Sequence, residues 1–206
     1  MAGAAFETPA DASAYRVVER LAGTATTDFG APGAIPACDL LPVDDGWLGR
    51  AEALLEACWQ ALDAAAVAAA GKQLARGPRG GGRELAAIVG HVAGADAAYL
   101  ARLGRKASAA PATGVGPGNR RAGASRDEPA QDGEGLAAAG ELAGLRQAIR
   151  AAVRAAVSDA DATAPASTAA AQRGPRGGTL WPPRYFVRRV AWHALDHAWE
   201  IEDRAA

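Results

Sequence analysis

The chain has 206 residues, a net charge of −1 and a pI near 6.3, and half of it is hydrophobic although only 5% is aromatic. So balanced a charge gives no field that would gather nucleic acid or an anionic membrane surface, and no apolar run approaches the ~20 residues of a membrane span. The length suits one domain, or one domain with an arm. Alanine dominates the hydrophobic half and buries little area per residue, so the core must come from helices that approach closely.

Residues 1–46 read as an N-terminal extension. MAGAAFETPADAS has neither a basic n-region nor an apolar h-region, so no signal peptide is expected and a cytoplasmic location is. Cys38 and Cys58 are then expected to stay reduced, with Cys58 acting as a small core hydrophobe. AYRVVERLAG reads equally as a short helix or a strand. After it, TATTDFGAPGAIPACDLLPVDDG carries Pro32, Pro36, Pro42 and three glycines, which punctuate an irregular segment. Phe29, Ile35 and Leu40 would be left in water unless this arm packs on the body.

Residues 47–206 read as an all-α four-helix bundle. Leu48, Ala51, Leu55, Cys58, Leu62 and Ala66 recur at three- and four-residue steps, the stripe of an amphipathic helix. Asp44 or Asp45 would cap it and Gly71 would stop it. Leu85, Ile88, Val92, Ala95, Tyr99 and Leu103 predict a second helix closed by Gly104. Leu136, Leu142, Leu145, Ile149 and Val153 predict a third, ending near Ser158–Asp159. A fourth starts at Pro182–Pro183, which suit a first turn, and runs through Phe186, Val190, Leu195 and Ile201. Residues 104–135 and 158–180 have no apolar period and are too long for tight turns. Crossovers of that length favour a bundle in which sequential helices can run parallel.

The chain has three histidines. His193 and His197 lie at i and i+4, on one face of the fourth helix with Phe186, Val190, Glu200 and Ile201 beside them. Two imidazoles at this spacing can aim their nitrogens at one ion, although the same pair also arises as one buried and one exposed histidine. His91 borders the apolar stripe of the second helix, about 12 Å from a start near Arg83; His193 and His197 lie roughly 10–17 Å from the C-terminal end of the fourth. An antiparallel pairing of these helices puts all three at one height. Three neutral imidazoles with an open position are the ligand set of a catalytic divalent metal. Zinc fits best, with nickel, manganese or iron also allowed by ligand type. Asp96, Asp196 and Glu200 are the nearby acids that could fix the imidazole tautomers.

The segments HVAGADAAYL and HALDH, in the second and last helices of an Ala-rich bundle, resemble the DinB-like (YfiT-like) superfamily over roughly residues 47–206. That resemblance implies a four-helix bundle of up-up-down-down topology, with one histidine from the second helix and an HxxxH pair from the fourth holding a divalent metal. These positions fall on His91, His193 and His197, while Asp96 stands where many relatives carry glutamate before the aromatic at Tyr99. The family includes S-transferases that use bacillithiol, mycothiol or glutathione, and a mycothiol-dependent isomerase. The Ala/Arg/Gly-heavy composition suggests a high-GC genome, hence a mycothiol-type low-molecular-weight thiol and a small electrophilic substrate. A non-catalytic metal-binding bundle with a stress or binding role, and a metal-dependent hydrolase, are the alternatives.

The hexapeptide RGPRGG occurs at 76–81 and at 173–178, each time before a histidine-bearing helix. Arg79, Arg83, Arg176 and Arg184 could receive an anionic substrate there, or the copies are simply flexible lead-ins. Arg188 and Arg189 among Trp181, Tyr185, Trp192 and Trp199 could suggest nucleic-acid stacking. The acids Asp196, Glu202 and Asp203 on the same helix oppose that, so no nucleic-acid or membrane partner is expected. Trp192 and Trp199 would instead pack on the arm or on a second copy in a homodimer.

Overall fold

A computed structural model of the chain describes residues 9–77, 82–103, 131–162 and 180–205. Among them all regular structure is helical: α1 spans Asp45–Ala68, α2 Leu85–Arg102, α3 Gln131–Ala162 and α4 Pro183–Ala205. Three short 3₁₀ turns, Ala12–Ala14, Thr27–Phe29 and Ala37–Leu40, punctuate the chain before α1. No helix among the described residues is long and apolar enough to cross a membrane.

The helix boundaries follow local chemistry. Asp44 is the N-cap of α1, its carboxylate accepting from the Trp47 amide at 2.6 Å, which satisfies one of the donors a helix start leaves orphaned. Gly71 takes the left-handed conformation, φ +74°, just past the end of α1, where a Cβ would be strained. Pro183 opens α4, where its missing N–H costs nothing. Helix α3 extends beyond its apolar repeat at both ends. Gln131 lies inside the stretch expected to be a connection and Ala162 beyond the expected stop, because a nucleated helix propagates through residues that carry no period.

Hydrogen bonds between helices set their directions. The Trp181 amide donates to the Arg102 carbonyl at 2.8 Å, while Arg204 Nη2 donates to the Arg83 carbonyl at 2.8 Å. The start of α4 therefore meets the end of α2, and its end meets the start of α2: the two are antiparallel. Arg184 donates to the Leu41 and Pro42 carbonyls just before α1, and the Ala75 amide, just after α1, donates to the Arg204 carbonyl. Helices α1 and α4 therefore run parallel. Helix α3 runs antiparallel to α1, since Arg146, Arg150 and Arg154 pair in order with Asp63, Glu56 and Glu52. In chain order the helices run up, down, down, up, so the sequential pair that runs parallel is α2 and α3, and the order differs from the up-up-down-down one that the resemblance implied.

Leu55, Trp59 and Leu62 of α1 meet Ile88, Val92 and Leu100 of α2, Ile149 and Val153 of α3, and Phe186, Val190 and Ile201 of α4 in one core. Each large apolar side chain stabilises the fold by roughly 1.5–3 kcal/mol. Buried Ala51, Ala191, Ala194 and Ala198 add little area but bring α1 and α4, the closest-packed pair, together. Cys58 sits in this core, where burial pushes its thiol pKa up, and both cysteines are free.

The arm is held chiefly by polar contacts. Tyr185 donates its hydroxyl to the Pro32 carbonyl at 2.7 Å, and Arg188 grips the buried Asp39 with Nε and Nη2, both at 2.8 Å. Ala31 and Val43 are buried, but Leu40 is 48% exposed, contrary to the expectation that it would be covered. The Ala37–Leu40 turn spends its buried face on Asp39 and turns Leu40 outward. The segment after Ala12–Ala14 is neither helix nor strand, and Tyr15, Val17 and Val18 are exposed.

Candidate metal centre

Arg189, His193, His197, Glu200 and Arg204 follow one another on α4 at steps of three and four residues, so they form one stripe along the helix. Val190, Ala194, Ala198 and Ile201 beside it are buried, which turns the stripe toward α2. The antiparallel crossing brings His91 of α2 against it. The ring centroids stand 5.2 Å (His91–His193), 5.0 Å (His91–His197) and 4.6 Å (His193–His197) apart. One nitrogen from each ring lies within 4.8 Å of the other two.

The donor set fits a divalent cation. His193 Nε2 and His197 Nε2 are 3.2 Å apart, close to the edge of a tetrahedron with metal–nitrogen bonds of about 2.0–2.1 Å, roughly 3.3 Å. His197 Nδ1 lies 2.7 Å from Glu200 Oε2. A carboxylate only accepts, so the ring proton is on Nδ1 and the Nε2 lone pair faces the other histidines. Burial, reinforced by His197 and His91, pushes the pKa of His193 down to about 3, so it is neutral at pH 7. His91 is likewise lowered, by burial and by the charge of Arg83. Neutral imidazoles are the state that ligates metals.

Of the acids expected to support the histidines, Glu200 does so. Burial alone would raise its pKa, but the bonds from His197 and Arg204 outweigh it and keep the group lowered and ionised. Asp196 stands half-buried beside the site without bonding a histidine; burial raises its carboxyl. Asp96 is fully buried, but both its oxygens lack a hydrogen-bond partner among the described residues. Five positions after His91 it points about 140° around α2, into the bundle interior and away from the imidazoles. Burial raises its pKa to about 7 against the opposing charge of Arg146 on α3.

The arginines expected to receive substrate do not gather here. Arg184 donates to the Leu41 and Pro42 carbonyls and lies over Trp47 at 5.5 Å, so it fastens the arm at the far end of α4. Arg83 is exposed; its carbonyl anchors Arg204. Arg79, Arg176 and the second RGPRGG copy lie outside the described residues, as do residues 104–130 and 163–179 of the two connections. Trp192 is half-buried beside His193, whereas Trp199 is 54% exposed.

Three further residues belong to the site. Arg204 is buried and donates to Glu200 at 2.8 Å and to the Ala75 and Arg83 carbonyls, each at 2.8 Å, so it locks Glu200 while tying α4 to the ends of α1 and α2. Tyr99 of α2 packs its ring 5.6 Å from His193, and Arg189 hydrogen-bonds the Tyr99 hydroxyl. The continuous stripe from Arg189 to Arg204 is the sequence signal that points to the two arginines.

Among known families, the DinB superfamily matches residues 54–201, from inside α1 to the last turns of α4, a span that includes all three histidines. No curated protein and no solved structure matches the chain. With the match covering most of the chain and the histidines converging between α2 and α4, the chain belongs to the DinB superfamily.

Proposed function

We propose that His91, His193 and His197 bind one divalent cation, zinc by donor chemistry, and that the protein is a transferase joining a low-molecular-weight thiol of the mycothiol type to an electrophilic small molecule. The observation that carries this reading is the convergence of three imidazoles, with no carboxylate among the donors. Such a set leaves the cation its full charge and an open position. Zinc held there supplies Lewis acidity, which lowers the pKa of a thiol or water at that position. Around it, Glu200 holds the proton on His197 Nδ1 and Arg204 keeps Glu200 in place. Tyr99 covers one flank of His193.

In the reaction the thiol sulfur forms a bond to the electrophilic carbon as the bond from that carbon to its leaving group breaks. The leaving group departs as an anion and the thiol proton passes to solvent. A thiol is its own nucleophile once deprotonated, so this chemistry needs no separate base. Activation of water by a side chain would need one, and Glu200 is already engaged by His197 and Arg204.

The test is metal analysis of protein purified without a histidine tag, followed by thiol-dependent consumption of chlorodinitrobenzene. About one equivalent of metal is expected, and its loss in His193→Ala. Less than about half an equivalent, unchanged in that variant, overturns the metal site. Bound metal with no thiol-dependent consumption overturns the transferase and leaves a metal-binding bundle.

A further inference from the structure

The two ends of the α4 stripe differ. At one end every guanidinium nitrogen of Arg204 has a partner, in Glu200 and two carbonyls. At the other, four residues before His193, the half-buried Arg189 makes hydrogen bonds, among the described residues, to the Tyr99 hydroxyl at 3.1 Å and the Pro32 carbonyl at 3.4 Å. Its Nε is buried without a partner, and no carboxylate pairs with it among the described residues. Its neighbour Arg188, by contrast, holds Asp39.

Three aromatic rings fix the Arg189 guanidinium, with Cζ 5.3 Å from the Tyr99 ring, 5.9 Å from Trp181 and 5.4 Å from Trp192. Two of those rings also flank the candidate metal centre: Tyr99 lies 5.6 Å and Trp192 6.2 Å from the His193 imidazole. The cation is thus pre-oriented beside the histidines, with donors to spare and no counter-charge among the described residues. A guanidinium has five N–H donors in a planar fork suited to a carboxylate, and low-dielectric aromatic walls strengthen such a bond.

From this geometry we infer that Arg189 is the receiving group for a carboxylate carried by the ligand of the histidine site. The inference rests on the metal-dependent reading above and adds the class of molecule that the site takes. The two groups lie four residues apart on one face of α4, about 6 Å along the helix axis, so one small molecule can present its carboxylate to Arg189 and its reacting atom to the histidines. Arg189 Nη1 also donates to the Pro32 carbonyl, so the arm helps to position the guanidinium.

The test uses cobalt-loaded full-length protein and two thiols of equal length, ω-mercaptobutyrate and the neutral ω-mercaptobutanol. Binding is followed by the sulfur-to-cobalt charge-transfer band. The acid is expected to bind at least about ten-fold more tightly than the alcohol, as a charge-assisted hydrogen bond provides. Arg189→Met is expected to abolish that preference while leaving the alcohol's affinity in place, and Arg189→Lys to keep part of it. Equal affinity of the two thiols for the wild-type protein overturns the inference without recourse to a variant. So does an undiminished preference in Arg189→Met. Glutarate titrated into metal-free protein, read by the fluorescence of Trp181 and Trp192, separates this reading from the metal reading. No charge-transfer band with either thiol, but an Arg189-dependent response to glutarate, removes the metal and keeps the carboxylate site. A band of equal strength with both thiols does the reverse.

Discussion

His197 Nδ1 and Glu200 Oε2 are 2.7 Å apart, and this contact decides which nitrogen of His197 is free to ligate. Replacing Glu200 by glutamine retains an acceptor but removes the charge that holds the tautomer and the partner that Arg204 grips. Metal affinity is expected to fall roughly 10–100-fold in Glu200→Gln, measured by competition with a chromophoric chelator. Unchanged affinity would show that packing alone orients His197.

Gly82 packs directly against the Arg204 guanidinium, where an added Cβ would collide with Nη2 and Cζ. Gly82→Ala is therefore expected to displace Arg204 from the Ala75 and Arg83 carbonyls and to destabilise the protein by about 1–3 kcal/mol. At this chain length the melting temperature should drop about 2–4 °C per kcal/mol. Thermal unfolding of Gly82→Ala, Arg204→Ala and the double variant checks it. The two effects should not add, because both break the same contacts.

Asp96 makes the stability depend on pH in an unusual direction. Its folded pKa is raised from 3.8 to about 7, so between those values the folded state holds a proton that the unfolded chain has released. The stabilisation from that bound proton is full below 3.8 and is lost as the pH rises to about 7. Asp96→Asn cannot titrate and should lack this decline. Relative to wild type, its melting temperature should therefore climb between pH 4 and pH 8, by at least about 3 °C. Parallel profiles for the two proteins would sink the assignment.

The buried Asp39 and the half-exposed Arg188 fasten the arm to α4 through two bonds of 2.8 Å. Because one partner faces solvent, removing the pair should cost the docking of the arm, rather than the folding of the bundle, about 1–2 kcal/mol, less than a fully buried bridge. Asp39→Ala is expected to speed proteolytic cleavage between residues 9 and 44 several-fold while the bundle melts near its wild-type temperature. Equal cleavage rates would mean that the Tyr185–Pro32 contact suffices.

Much of this architecture was legible in the sequence. Leu55, Cys58 and Leu62, or Phe186, Val190 and Ile201, repeat with the period of a helix, and a helix follows from that period without reference to the rest of the chain. The pairing of His193 with His197 is local in the same way. The three acids offered as supports for the histidines show the limit. Asp96, Asp196 and Glu200 are all close to a histidine along the chain, yet only Glu200 reaches one, because direction around the helix axis and not sequence distance decides the contact. Leu40 shows it again, since an apolar residue in an irregular turn has no period to say which way it faces.

The sequence by itself determined the four helices, an aspartate cap at Asp44 or Asp45, a proline start at Pro182–Pro183, and the pair of imidazoles on α4, because the backbone period and the first turn are short-range physics. Only the tertiary structure decided that α2 lies antiparallel to α4, that His91 completes the cluster, and that Arg189 stands beside it without a carboxylate partner among the described residues while Arg204 pairs with Glu200. Relative heights of helices depend on how buried faces and terminal hydrogen bonds from distant segments settle together, and no single stretch of chain contains that information.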